Sequence, residues 1–465
     1  MARCPLSLSR KLCLLLASSL FALSASAADA DAPAPRRLDL DSAWRAAFAN
    51  DPILRAARAG AEAGQEAVPL ARAQLRPQIG VSVGRNFNEL ETDTTVLGRP
   101  VNTRQDYYSG TQAITVRMPL LQPVQWAVLR QAGAQVVEAE ANLANARQQL
   151  ATRLAEAYFD LLLADDQIAL VQAQTQAHAS QLEAARKALA AGSGIRTDID
   201  EAQARLDLDT AQALETRQQR ELARRRLQHL VGEPFAGITP LGVDRLRSHP
   251  PTAGELDDWL ALADENSPEL QLLRARHEGA VEELAKGRAR HLPTVDAIAQ
   301  VNRGVSDNIN RINSTTTQST IGIQFNMALY SGGGVNAAIR QARAELVRAE
   351  ENLAAQRLDL NLRLHREHRG VTEGLLRIKA LEQAVLSAEQ LSLSSRRAYQ
   401  AGARTTLDVL NAEQQLATAR RDLSQARYAT LSAYVRLQTL SGVFDDRRLA
   451  DLNALFDSNP TPGPK

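Results

Sequence analysis

Cysteine is nearly absent from this 465-residue chain, and the two it has, Cys4 and Cys13, fall in a segment that reads as an export signal. In that segment, residues 1–27, Arg3, Arg10 and Lys11 precede an apolar run from Leu12 to Leu23, and Ala25-Ser26-Ala27 forms a small-x-small cleavage site. An exported chain beginning at Ala28 has no thiol for a disulfide, a metal site or a nucleophile. Cys13 follows Arg-Lys-Leu, a poor lipid-attachment box, so no lipoprotein anchor is expected. Long apolar runs are also missing: beyond the signal nothing approaches the ~20 consecutive apolar residues of a membrane-spanning helix, which leaves strands as the only way to cross a bilayer. Aromatics make up 4% of the chain and the formal net charge is +1, with both signs interspersed, which argues against one large core and against a nucleic-acid partner.

What the chain has is alanine, which supplies much of the 44% hydrophobic content and suits closely packed helices, and an internal repeat. Asn50-Asp51-Pro52-Ile53-Leu54 recurs as Asn266-Ser267-Pro268-Glu269-Leu270, each placing Pro in the first turn of a helix. Residues 129–154 align without a gap on 339–364 with about half the positions identical, including Arg130/Arg340, Glu140/Glu350 and Leu143/Leu353. Ala191-Gly192 followed by Asp198 matches Ala401-Gly402 followed by Asp408. Duplication is the simplest explanation, with one repeat over 38–232, a linker over 233–266, a second repeat over 267–442 and a C-terminal tail over 443–465.

Each repeat reads as helix, two strands, very long helix, tight turn, medium helix. Period-two alternation places strands at about 77–88, 107–120, 293–304 and 316–329, with the polar segments 88–106 and 304–315 as loops. Ile114, Val116, Met118 and Leu120 share one strand face, as do Ile321, Ile323, Phe325, Met327 and Leu329; Ile298 breaks the pattern of its own strand. Four such strands cannot close a barrel, and open edges are not tolerated in lipid, so a membrane role requires oligomerisation: two copies give eight strands with a filled interior, three give twelve and a pore. No proline interrupts 124–191 or 335–401, and apolar positions recur every seven residues (Leu129, Val136, Leu143, Leu150; Ile339, Leu346, Leu353, Leu360), predicting coiled-coil rods of roughly 100 Å. The helices at about 52–76 and 195–231, stacked end to end, match one rod in length. The strands then lie at one end, the turns at Gly192 and Gly402 at the other, and the linker forms a collar at the middle.

With these parts in place the sequence resembles the TolC family of outer-membrane efflux and type I secretion ducts, over about residues 38–442. The matching signatures are Asn50-Asp51-Pro52, Tyr158-Phe159-Asp160-Leu161-Leu162, Leu329-Tyr330-Ser331-Gly332-Gly333, and Tyr399-Gln400-Ala401-Gly402-Ala403-Arg404-Thr405-Thr406-Leu407-Asp408-Val409-Leu410. The resemblance implies an α+β membrane protein of the TolC-like α/β-barrel class in the cell outer membrane, a homotrimer forming a 12-stranded β-barrel and a 12-helix α-barrel that extends into the periplasm. It implies as partners a periplasmic adaptor (membrane fusion) protein and an inner-membrane ABC, RND or MFS transporter. It also implies a periplasmic gate latch in which Asp198 is held by Tyr399 and Arg404, and a pore constriction at Asp408 and Asn411. Asn411 stands where the family has a second aspartate, which halves the charge and puts cation selectivity in question.

Each of these residues has a plainer role. Asp198 and Asp408 sit in the first turns of their helices, where a carboxylate offsets the exposed N–H groups and the dipole by ~0.3–1 kcal/mol, and Arg404 beyond its Gly turn reads as a solvated charge. His365 and His368 flank Glu367, but this is not the His-Glu-x-x-His of a zinc hydrolase and reads as a solvated helix face. Ser331-Gly332-Gly333-Gly334 lacks the Lys-Ser/Thr of a phosphate loop and bends strand into helix, while Gly370 and Gly374 mark a bend in the second rod. No nucleophile-base pair, metal constellation or cofactor loop supports an enzyme. The alternative is a periplasmic coiled-coil scaffold without channel activity, which has no need of an apolar strand face. Residues 458–465, with three prolines, read as disordered.

Overall fold

The computed structural model describes residues 37–308 and 311–456. The segment 1–27, expected as an export signal, and the tail expected from 458 lie outside the described residues. The first half runs β1 (Arg37–Leu38), α1 (Leu40–Asn50), α2 (Pro52–Gln65), α3 (Ala67–Ala73), β2 (Gln78–Val96), β3 (Arg99–Leu121), α4 (Pro123–Ala190) and α5 (Arg196–Val231). The linker holds β4 (Gly237–Ile238), α6 (Val243–Ser248) and α7 (Leu256–Asn266). The second half runs α8 (Pro268–Ala289), β5 (Thr294–Asn308), β6 (Arg311–Asn326), α9 (Gly334–Gln400), α10 (Thr406–Leu440) and α11 (Asp446–Asn453).

α4 and α9, of 68 and 67 residues, are the two rods, each roughly 100 Å long. α4 starts with Pro123 in its first turn, where a missing N–H costs nothing, and stops at Gly192, whose φ of +75° favours glycine. Its buried positions are mostly alanine (Ala127, Ala132, Ala134, Ala141, Ala146, Ala151), so the neighbouring helices approach closely. α2, α3 and α5 pack along α4, and α8 lies between α4 and α9. The helix expected over 52–76 is broken between α2 and α3, because Pro69 cannot donate to the carbonyl four residues back; α8 has no internal proline and is continuous. Before α9, Gly332 and Gly333 have φ of +61° and +83°, and they turn the chain from sheet to helix.

The strands differ from the expectation. The segment 88–106, expected as a loop, is strand apart from a two-residue turn at Leu97-Gly98, whose φ values of +50° and +79° have the signs of an I′ hairpin turn. Cross-strand side chains close this part of the ladder: Asn102 Nδ2 donates to Glu91 Oε1 and Asp93 Oδ1, both at 2.8 Å, and Arg104 pairs with Glu89. Outside lipid the apolar alternation lapses while the backbone ladder continues, so hydropathy marks the end of the buried face and not of the strand. The segment 304–315 is also strand up to Asn308 and from Arg311, and the last strand ends at Asn326. The sheet is antiparallel in the order β2-β3-β5-β6, with β3 and β5 joining the halves from Ser109↔Ser306 to Leu121↔Val295.

Midway along α4 the linker and the first and last described segments gather around Leu150, Leu154, Tyr158 and Phe159. The Tyr158 hydroxyl donates to the Thr239 carbonyl at 3.0 Å and accepts from the Thr239 N–H at 3.1 Å, tying α4 to the linker; burial pushes this phenol well above its usual pKa. β1 pairs with β4 in parallel. The region 443–465 is not all tail: α11 docks here, with Leu449, Leu452 and Phe456 buried, because it is amphipathic and the linker offers it an apolar seat.

The recurring Asn-x-Pro segments are handled differently in the two halves. Asp51 caps α2 by accepting from the Leu54 N–H at 2.7 Å, and it also takes the Arg153 guanidinium at 3.2 and 3.3 Å. Ser267 makes no cap bond, and Arg363, the repeat equivalent of Arg153, reaches Glu269 at 2.5 Å instead. The carboxylate has moved two residues along the helix while the arginine kept its place.

Gly370 and Gly374 serve close approach between α9 and α10. A Cβ on Gly374 would stand 3.2 Å from Thr430 Cβ and closer still to its Oγ1, and one on Gly370 would stand 2.9 Å from Ala433 Cβ. G374A is expected to destabilise the fold: crowding of about 1–3 kcal/mol outweighs the ~1 kcal/mol of helix propensity gained. A raised thermal unfolding midpoint would refute the close-packing assignment.

Candidate functional site

The sheet end of the molecule is built to face lipid. Residues directly opposed across strands share a face, so the register assembles Ile79, Val116, Ala299 and Ile321 into one row, Val81, Ile114 and Val301 into the next, and Met118, Ala297 and Ile323 into a third. Most of these side chains are exposed in the single chain. The other face carries Gly80, Thr115, Gln300 and Thr320; Ile298, which broke the alternation, sits on this polar face between Arg117 and Gly322. Beyond a mixed row of Val83, Gln112 and Arg303, the band closes with Phe87 against Tyr108, ring centroids 5.4 Å apart. From Tyr108 to Leu121 β3 spans roughly 43 Å, or about 33 Å of depth at the ~40° tilt of outer-membrane strands, enough for a hydrocarbon core of ~30 Å. At the helical side of the band the carboxylate of Asp296, 1% exposed, accepts from Arg117 NH2 at 2.6 Å and Gln122 Nε2 at 3.0 Å.

The opposite end is the pair of tip turns. Gly192 and Gly402 both have φ near +75°, and the Ala188 and Ala398 carbonyls take the N–H groups of the turns. Asp408 belongs to a capping box: its Oδ2 accepts from the Thr405 N–H at 3.0 Å and hydroxyl at 2.8 Å, while the Thr405 Oγ1 accepts from the Asp408 N–H at 3.2 Å. The bond from the Thr405 backbone holds this carboxyl below the usual carboxylate range. Asp198 occupies the matching position in α5 but caps nothing; it is half-buried and, among the described residues, has no side-chain hydrogen bond. Tyr399 is half-buried at the end of α9, and Arg404 is exposed and donates to Ser395 Oγ at 2.8 Å. The single chain therefore does not bond Asp198 to Tyr399 or Arg404. Asn411, one turn beyond Asp408, accepts from Arg205 NH2 of α5 at 3.4 Å.

Comparison with known proteins decides the family. The outer membrane efflux protein family profile matches residues 44–233 and 259–443. The chain belongs to the outer membrane efflux protein family. Among relatives of this family, it is 32% identical to the proteases secretion protein PrtF of Dickeya chrysanthemi, covering 91% of this chain and 92% of that one. It is 26% identical to the outer membrane protein TolC of Vibrio cholerae, covering 90% and 93%. The crystal structure of the outer membrane protein VceC from Vibrio cholerae superposes with a TM-score of 0.73 over 87% of this chain and 96% of that chain, at 22% identity, which shows the fold.

For an outer membrane efflux protein, the remaining sequence candidates take structural roles. His368 Nε2 lies 3.0 Å from the Gly254 carbonyl oxygen, His365 is exposed, and Glu367 is not on a solvated face: it is buried and accepts from Arg436 Nε at 3.1 Å. Sequence reasoning missed a polar chain near the tip in which His178 and Asp209 are buried and Glu413 is partly buried. A signal for it existed in the lone histidine and carboxylates falling on otherwise alanine-rich helix faces, but nothing in the spacing joins three helices.

Proposed function

We propose that this chain is the outer-membrane exit duct of a tripartite efflux pump or type I secretion system, a passive homotrimer opened at its periplasmic tip by an adaptor protein and an inner-membrane ABC, RND or MFS transporter. The observation that carries this reading is the four-stranded sheet, which has an uncovered apolar face and two unpaired edges, β2 and β6. Open edges are intolerable in lipid, so copies of the chain must pair them. Three copies give twelve strands and leave a lumen where two would not. Uncovered leucines support the same assembly along the tunnel: Leu208, Leu214 and Leu222 on α5, and Leu376, Leu386 and Leu393 on α9. In a ring of copies these outer helices meet as neighbours, giving a 12-helix barrel from two copies of one unit per chain. The likeness to a relative named for protease secretion favours a polypeptide cargo.

Asp198, unengaged in the single chain, is the latch carboxylate that Tyr399 and Arg404 hold, and Asp408 with Asn411 forms the constriction, with one ring of charge where the family has two. Membrane fractionation and planar-bilayer recording test the duct. The expected result is an outer-membrane, detergent-soluble trimer that conducts ions. A scaffold would give no conductance, and a stable monomer in plain buffer would rule out the lipid-embedded sheet.

A further inference from the structure

Roughly 18 Å from the end of α4, at ~1.5 Å per residue, His178 lies 2% exposed among the tunnel helices. Its Nδ1 is 2.5 Å from Asp209 Oδ2 on α5, and its Nε2 is 4.0 Å from Glu413 Oε2 on α10. Glu413 Oε1 accepts from Arg396 Nε of α9 at 2.8 Å. This polar chain crosses all four tunnel helices, where the other buried side chains include Leu182, Ala185, Ala202, Leu410 and Ala417. A buried imidazole between two carboxylates is costly unless its bonds are made, so it is not a packing residue.

The two bonds of this imidazole depend on its proton differently. Neutral, with the proton on Nδ1, it donates to Asp209 and turns a lone pair toward the Glu413 carboxylate, acceptor against acceptor. Protonated, it donates from both nitrogens, and Nε2–H closes on Glu413. The proton therefore controls the His178–Glu413 contact, the α4–α10 link nearest the tip, and leaves the α4–α5 bond in place; the other α4–α10 bonds, such as Tyr428 to Asp166 and Arg436 to Glu156, lie farther from the tip. The His178–Glu413 contact joins the α4/α5 pair to the α9/α10 pair, each closed by its own tip turn. The charged groups facing His178 are Asp209 from α5, Glu413 and Arg420 from α10, and Arg396 from α9 through Glu413. Arg420 is itself held by Glu389 at 2.7 Å.

We infer that His178 is a proton-operated second latch: protonated, it holds the α9/α10 pair against α4/α5 near the tip, and neutral, it lets the pairs part. The inference rests on the duct reading and adds a gating residue that is separate from Asp198. Single-channel recording of the purified trimer from about pH 5.5 to about pH 8 tests it. Open probability of the unaltered protein is expected to rise about tenfold across that interval, within the range typical of coupling between a bound ligand and a two-state element. H178Q, which can still donate to Asp209, and E413A, which removes the partner of Nε2 and leaves the His178–Asp209 bond intact, should both be fixed at the high value at every pH. D198N should shift the baseline and keep the pH response. A pH response that survives in H178Q or E413A, or is absent from the unaltered protein, overturns the second latch and leaves the duct standing. A protein that conducts at no pH overturns the duct reading and the latch with it. E413A keeps the test decisive if H178Q does not assemble.

Discussion

Replacing Asp51 with alanine is expected to destabilise the protein by about 3 kcal/mol, whereas replacing its counterpart Ser267 should change stability by less than ~1 kcal/mol. Asp51, 2% exposed, does two jobs at once, capping α2 and pairing with Arg153. Losing the cap costs ~1 kcal/mol, and stranding a buried guanidinium costs ~3–5 kcal/mol, reduced here because a third of the Arg153 side chain still meets water. D51N, which can keep the cap but not the charge, should fall between. Ser267 is more deeply buried, yet its hydroxyl has no partner, so S267A removes an unmet polar group and can even stabilise. Thermal unfolding in detergent measures all three. Equal losses in D51A and S267A would show that the two halves share one anchoring scheme, contrary to the geometry.

The second large effect concerns the tip. The double variant Y399F/R404S is expected to raise single-channel conductance several-fold at every pH, because phenylalanine has no hydroxyl to donate to Asp198 and serine lacks the charge and length of the guanidinium. In a D198N background the same double replacement should add nothing, since residues acting through one shared group are not additive. Unchanged conductance in Y399F/R404S would discard the Asp198 latch while leaving the duct intact. The contrast with Asp408 favours the proposed latch: a capping box already engages Asp408 in its own helix, and Asp198 has no such tie.

Much of this architecture is legible in the residues. The rods follow from long alanine-rich stretches without proline and end at the two glycines with positive φ. The apolar sheet face follows from alternation, and the misfit Ile298 is an apolar residue on the polar face, with the register unbroken around it. The extent of the first hairpin was not legible, because threonine, asparagine and acidic residues suit a solvated ladder as well as a loop. Nor was the break before α3, although Pro69 announces it. The capping roles of Asp51 and Asp408 could be read from spacing, but the pairing of Asp51 with Arg153 links residues about a hundred positions apart. The His178 chain is harder still, since its members come from four helices whose alignment depends on how the rods pack.

The lopsided hairpins shape what the cell exposes. β3 leaves β5 at Ser109, so beyond that point β2 and β3 pair only with each other as far as Leu97-Gly98. In a closed ring of copies, each subunit raises a bare two-stranded spike of about 30 Å above the rim. In such a ring, anything approaching from the surroundings would touch these charged prongs before it reached the aperture.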